Sequence, residues 1–173
     1  MYLNFDKPLF GFLYILFFLQ RIKTRHEWKS VIRASLICFV PCAALLMGTA
    51  FALHYVRFDP KFPSETWIWM ISNIFFTCVS EEAFFRGYIQ HGLTNYFYKK
   101  SHQHWIPLVL TSFLFGLSHY KAGSSFVLLA SIAGIFYGYA YQQTKKIEAS
   151  ILTHMAVNST HFFFFSYLGL IKN

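Results

Sequence analysis

The sequence predicts an all-α fold: a polytopic transmembrane helical bundle of about six membrane segments, forming a single membrane-embedded domain over residues 1–173. Three observations predict it. Of the 173 residues, 55% are hydrophobic and 21% aromatic. Only 13% are charged, against about a quarter in an ordinary soluble domain. The basic residues behind the net charge of +8 stand in short clusters between long apolar runs, as they do in positive-inside loops. That placement argues for membrane lipid as a partner and against nucleic acid. Cys38, Cys42 and Cys78 all fall inside apolar runs without a CxxC pair, and read as small buried hydrophobes. The run "PLFGFLYILFFLQ" does not read as a signal peptide, because positive charge follows it and no small-x-small cleavage site appears.

Taken in order, the segments are residues 8–19, 31–55, 67–98, 105–120, 124–141 and 147–171. The first is short against the roughly twenty residues a span needs, so it starts nearer Met1 or lies partly in the interface. The second contains Pro41, which lipid tolerates and which predicts a kink. Trp67, Trp69 and Trp105 sit at segment ends, as aromatic belts do. Arg21, Lys23, Arg25, Lys29 and Arg33 follow the first segment, and Lys99, Lys100, Lys145 and Lys146 fall on the same side. The opposite side carries Arg57, Lys61 and Lys121 with Asp59 and Glu65. The bias places the first group in the cytoplasm and both termini outside, in a multi-pass protein of the cell membrane. The run from Arg21 to Arg33 can also hold anionic lipid head groups. On the fifth segment Ala130, Gly134 and Gly138 form a ridge of small residues that allows close helix packing.

The third segment carries the anomaly. In "SEEAFFRGYIQHG" two glutamates and an arginine follow thirteen uncharged residues. Glu82 and Arg86, at i and i+4, share a helical face and can pair, which lowers an insertion cost of about 2.5–3.5 kcal/mol for each charge. Glu81 lies about 100° away around the helix and is not explained by that pair. Elsewhere, "FGLSHY" places His119 near the end of the fourth segment. "ILTHMAVN" places His154 and Asn158 on one face of the sixth, and His161 continues that stripe. Intramembrane ionisable groups from three helices are functional candidates by default. His119 lies roughly 21 Å into its helix, which is level with Glu81 only if the third helix runs on through Gly87. A long third helix is therefore expected. Neither His119 nor His154 belongs to an HExxH, and no serine sits in a nucleophile elbow. A carboxylate and a histidine can activate water as general base, while a second histidine and an asparagine can donate to a developing oxyanion. The set fits hydrolysis of a peptide bond.

The three motifs "EEAFFR", "FGLSH" and "HMAVN", in that order, resemble those of the CAAX-protease and bacteriocin-processing intramembrane proteases, whose eukaryotic members include the type II CAAX prenyl endopeptidase. The similarity covers about residues 80–158. It implies a glutamate-dependent intramembrane endopeptidase whose catalytic core helices span residues 67–161 and whose substrate is a membrane-associated peptide or protein. It further implies that Glu81 activates water with His119, that His154 and Asn158 form the oxyanion hole, and that Glu82 and Arg86 are a supporting ion pair. No cofactor is expected. The alternative enzyme is a zinc metalloprotease with Glu81, His119 and His154 as ligands. A non-enzymatic immunity, transport or scaffold protein would use the same residues as interhelical glue. His161 lies outside the motifs and is assigned to packing or to support of the site. Oligomeric state is not legible.

Overall fold

A computed structural model describes residues 6–101 and 105–168. The chain is mostly helical. Helix α1 spans Asp6–Phe18, α2 Arg25–Ala52, α3 residues 66–101, α4 Trp105–Leu117, α5 Ser124–Thr144 and α6 Ile147–Phe164. Strands β1 (Val56–Phe58) and β2 (Phe165–Tyr167) pair antiparallel, with Val56 opposite Tyr167 and Phe58 opposite Phe165. Among the described residues two helices, α2 with 28 residues and α5 with 21, are long and apolar enough to cross a membrane.

Helix α2 starts at a complete capping box. Thr24 Oγ1 accepts from the Glu27 amide at 3.1 Å, and Glu27 Oε2 accepts from the Thr24 amide at 3.0 Å, satisfying donors that an uncapped first turn leaves orphaned. It continues through Pro41. At the same end of the bundle, the loop before α6 places Lys146 Nζ 2.9 Å from Glu27 Oε1. The clusters around Arg21 and Lys146, expected on one side, therefore share one end of the molecule. The core between the helices holds Cys42, Leu46, Phe85, Phe115, Tyr137 and Val157.

Helix α3 does run through Gly87, but it is not a plain α-helix. Its backbone stays right-handed helical at every junction while Asn73–Cys78 and Ala83–Gln90 are π-helical. Such wider turns gather at functional sites, and here they flank the α-helical turn that carries Glu81 and Glu82. Helix α1 braces this region. A Cβ on Gly11 would meet the Ser80 Cα at 3.0 Å, and one on Gly87 would meet the Tyr14 ring at 3.0 Å. Tyr14 donates its hydroxyl to the Gly87 carbonyl at 3.2 Å.

Three boundaries differ from the sequence reading. The second helix stops at Ala52, before a turn in which His54 adopts φ 51°. The fourth stops at Leu117, leaving His119 in the turn beyond it. The sixth stops at Phe164, where Phe165 becomes extended (φ −136°, ψ 150°) and joins the ribbon; residues 169–171 of that expected segment lie outside the described residues. The ribbon competes successfully with helix because it supplies polar partners. Ser166 Oγ donates to Asp59 Oδ2 at 2.6 Å, and Lys61 Nζ donates to the Phe165 carbonyl at 2.8 Å. The Ser166 hydroxyl, followed by the charges of Arg57 and Lys61, holds the Asp59 carboxyl below the usual carboxylate range.

The ridge on α5 makes the close approaches its spacing suggests: Gly134 faces Ser112 of α4 and Gly138 faces Gln90 of α3. Tighter still is Gly116 on α4, where an added Cβ would sit 1.9 Å from Ser131 Oγ and 2.6 Å from the Val127 carbonyl. Backbone cannot yield to it. Gly116→Ala is expected to destabilise the α4–α5 contact by about 1–3 kcal/mol. Gly48→Ala, where nothing lies within 4 Å, is expected to be neutral or slightly stabilising. Thermal unfolding in detergent compares the two.

Candidate active site

Glu82 is the centre of the polar cluster. It is 0% exposed and its carboxylate is saturated by donors from two helices. Arg86 Nε donates to Oε2 at 2.9 Å from the next turn of α3. Ser150 Oγ on α6 also donates to Oε2. His154, one turn along α6 from Ser150, places Nδ1 2.9 Å from Oε1. Burying a carboxylate is costly unless its lone pairs are met, and here they are. The ion pair is the one that the i, i+4 spacing implies. The bond from His154 to Glu82 is not, because spacing within a helix carries no information about partners across helices.

Arg86 is equally buried, at 0%, and its guanidinium lies over the Phe115 ring at 5.1 Å, where the ring quadrupole receives a cation. Phe115 therefore packs the site as well as starting the motif that ends in His119.

The two imidazoles are oriented by their Nδ1 atoms. His119 Nδ1 is 2.8 Å from the Phe115 carbonyl, and a carbonyl can only accept, so Nδ1 carries the proton. His154 Nδ1 likewise faces a carboxylate. In a neutral ring the acceptor lone pair is then on Nε2, and in a protonated ring Nε2 is a donor instead. The His154 ring is held by stacking on Tyr137, centroids 4.5 Å apart at 17°, and by the edge of Phe115 at 5.9 Å and 85°.

Glu81, the neighbouring carboxylate, is unlike Glu82. Its Oε2 is buried without a hydrogen-bond partner. No hydrogen bond or ion pair joins it to either imidazole among the described residues, yet His154, His119, Glu82 and Arg86 are the charges that act on it. Two adjacent carboxylates thus have separate surroundings, one saturated and one with acceptor capacity left.

Asn158, one turn beyond His154, donates from Nδ2 to Asn73 Oδ1 at 3.0 Å and approaches Cys78 Sγ at 3.9 Å. Asn73, from the first π-helical turn of α3, donates in turn to Met155 Sδ at 3.0 Å. A cavity of about 290 Å³ is lined by Asn73, Phe115, His119, Tyr137, His154 and Asn158 among others. His161 also borders it, packed on Tyr167 at 4.5 Å. The structure therefore brings His119, His154 and Asn158 to one cavity, which Glu82 and Arg86 contact through His154 and Phe115, while Glu81 is not among its lining residues.

Asn73, Ser150 and Tyr137 are the participants that sequence reasoning missed. Two left a signal. Asn73 is the lone carboxamide in "WIWMISNIFFTCV", and Ser150 precedes His154 by one helical turn, hence on the same face. Tyr137 gave none beyond its place beside Gly138.

As for zinc, no group of three His, Cys, Asp or Glu side chains among the described residues converges as a metal site.

Comparison with known proteins adds the family. The family described as type II CAAX prenyl endopeptidase Rce1-like matches residues 63–160, which include Asn73 and every motif residue of the site. No curated protein and no solved structure matches the chain. The match takes in more than half of the sequence, and the chain belongs to the Rce1-like family of type II CAAX prenyl endopeptidases.

Proposed function

We propose that this chain is a multi-pass intramembrane endopeptidase of the cell membrane that hydrolyses a peptide bond of a membrane-associated protein or peptide, without a metal cofactor. The observation that carries the reading is the contrast between the adjacent carboxylates: Glu82 is fully engaged by Arg86, Ser150 and His154, while half-buried Glu81 keeps one buried oxygen without a protein partner. The membrane placement is supported by α2 and α5 and by an apolar exterior that includes Phe17, Ile68, Val40 and Leu128, all at least 60% exposed. The remaining helices complete six segments, with the Arg21 and Lys146 end in the cytoplasm.

The charges of Glu82 and Arg86 cancel. A second opposed pair, the Glu81 carboxylate and a protonated His154, keeps the site neutral and makes His154 Nε2 a donor. His119, with its proton on Nδ1, accepts from the attacking water at Nε2 and orients it. Glu81 removes the water's other proton as the C–O bond forms. The tetrahedral oxyanion receives hydrogen bonds from Asn158 Nδ2 and His154 Nε2. On collapse the C–N bond breaks, and Glu81 returns its proton to the leaving amine. Asn73 is a positioning residue: by accepting one Asn158 Nδ2 proton it aims the other toward the oxyanion.

Glu81→Gln is expected to fold normally and to lose about 10²–10⁴-fold in kcat on a membrane-anchored peptide; a folded variant that still cleaves would end the catalytic assignment. Asn158→Ala is expected to cost about 10²–10³-fold in kcat. Asn73→Ala should reproduce much of that loss, and the double variant should be little worse than Asn158→Ala alone, whereas additive losses would make Asn73 an independent packing residue. Cleavage by the purified protein should persist after chelation, and metal analysis should find less than one bound zinc per chain.

A further inference from the structure

At the end of the bundle marked by Lys146, a second cavity of about 520 Å³ is lined by Leu19, Gln20, Arg21, Lys23, Glu27 and Lys146. Its one acidic side chain is already committed. Glu27 Oε2 accepts from the amides of Lys23 and Thr24 at 2.7 and 3.0 Å, and Oε1 is paired with Lys146 Nζ at 2.9 Å. Lys146 is 8% exposed and is further fixed by donating to the Arg21 carbonyl at 3.1 Å. Glu27 and Lys146 therefore cancel and serve as a rigid wall. Among the described residues Arg21 and Lys23 form no ion pair, and the Arg21 head makes a long 3.4 Å contact with the Leu16 carbonyl. Two uncompensated cations thus face one cavity.

What lies beside the cavity narrows the occupant. The preceding turn of α1 exposes Phe17 and Phe18 at 74% and 73%, so an apolar surface leads directly into a cationic hollow. We propose that this cavity binds a phosphate anion, and that its source is the head group of an anionic phospholipid whose acyl chains lie along the exposed face of α1. The inference rests on the membrane-embedded reading but not on the catalytic assignments. A basic hollow between helices at the cytoplasmic end suits a lipid phosphate, and Arg presents a fork that matches phosphate oxygens. The rigid wall distinguishes this site from general attraction to an anionic surface, to which Lys29 and Arg33 contribute equally.

The test uses the full chain in nanodiscs of phosphatidylcholine, with and without phosphatidylglycerol, read by native mass spectrometry of retained lipid and by the thermal midpoint. Wild type is expected to retain one phosphatidylglycerol and to gain thermal stability from it. The exposed-residue variant Arg21→Gln/Lys23→Gln is expected to bind about thirtyfold more weakly, while Lys29→Gln/Arg33→Gln keeps the wild-type affinity. Inorganic phosphate added to phosphatidylcholine discs separates the sources: the same gain from phosphate alone assigns the anion site to a soluble ligand, and no gain assigns it to lipid. Absence of any phosphatidylglycerol preference, or equal losses in both double variants, overturns the site. A chain that remains dispersed in water without detergent would refute the membrane reading instead, and is seen before any lipid is added.

Discussion

The arrangement depends on one buried anion. Glu82 sits where an unpaired carboxylate would cost several kcal/mol, and Arg86, Ser150 and His154 together remove that cost. Because those donors come from α3 and α6, the carboxylate also fixes the distance and rotation of one helix against the other. Removing one member of such a group leaves the others buried and uncompensated, a penalty of about 3–5 kcal/mol. Stability and site geometry are therefore set by the same contacts. His154 is oriented by its bond to Glu82, and Glu82 tolerates burial because Arg86, Ser150 and His154 are in place.

Around that anion the fold supplies precision by close packing. Small residues on α4 and α5 let those backbones approach to van der Waals limits, which seats Phe115 and Tyr137 against the His154 ring. An aromatic cage of this kind restricts an imidazole to one plane without using its nitrogens. The π-helical turns of α3 have a related effect. They change the angular progression along the helix on either side of Glu81 and Glu82, so that Asn73, two turns earlier, reaches Asn158 on α6.

How much of this the sequence disclosed follows from what kind of contact each residue makes. Glu82 with Arg86, and His154 with Asn158, were legible because both pairs lie within one helix, where spacing alone sets proximity. Asn73 and Ser150 were not, since their partners lie 85 and 68 residues away, and a single chain without comparison does not reveal which faces meet. The long third helix could be inferred from the need to bring Glu81 level with His119, but its π-helical turns could not, because "NIFFTC" contains no breaker and the one glycine of "AFFRGYIQ" does not distinguish a π-turn from an α-turn. The ends of the second and sixth helices were misjudged for a different reason. "HFFFFSYLGL" is as apolar as a membrane helix, and aromatic residues suit extended chain as well; the polar clasp of Asp59, Lys61 and Ser166 decides between them.

That ribbon has a consequence for the order of assembly. Ser166 and Asp59 are 107 residues apart in the chain, and Tyr55, Val56 and Tyr167 all border the cavity that His154 faces. A wall joined across so great a separation closes late, after the loop between its halves has been ordered. Every carboxylate and imidazole of the cluster, His154 included, leaves the ribosome before the closing strand does. A nascent chain would thus carry the polar cluster without its closing wall until β2 has emerged.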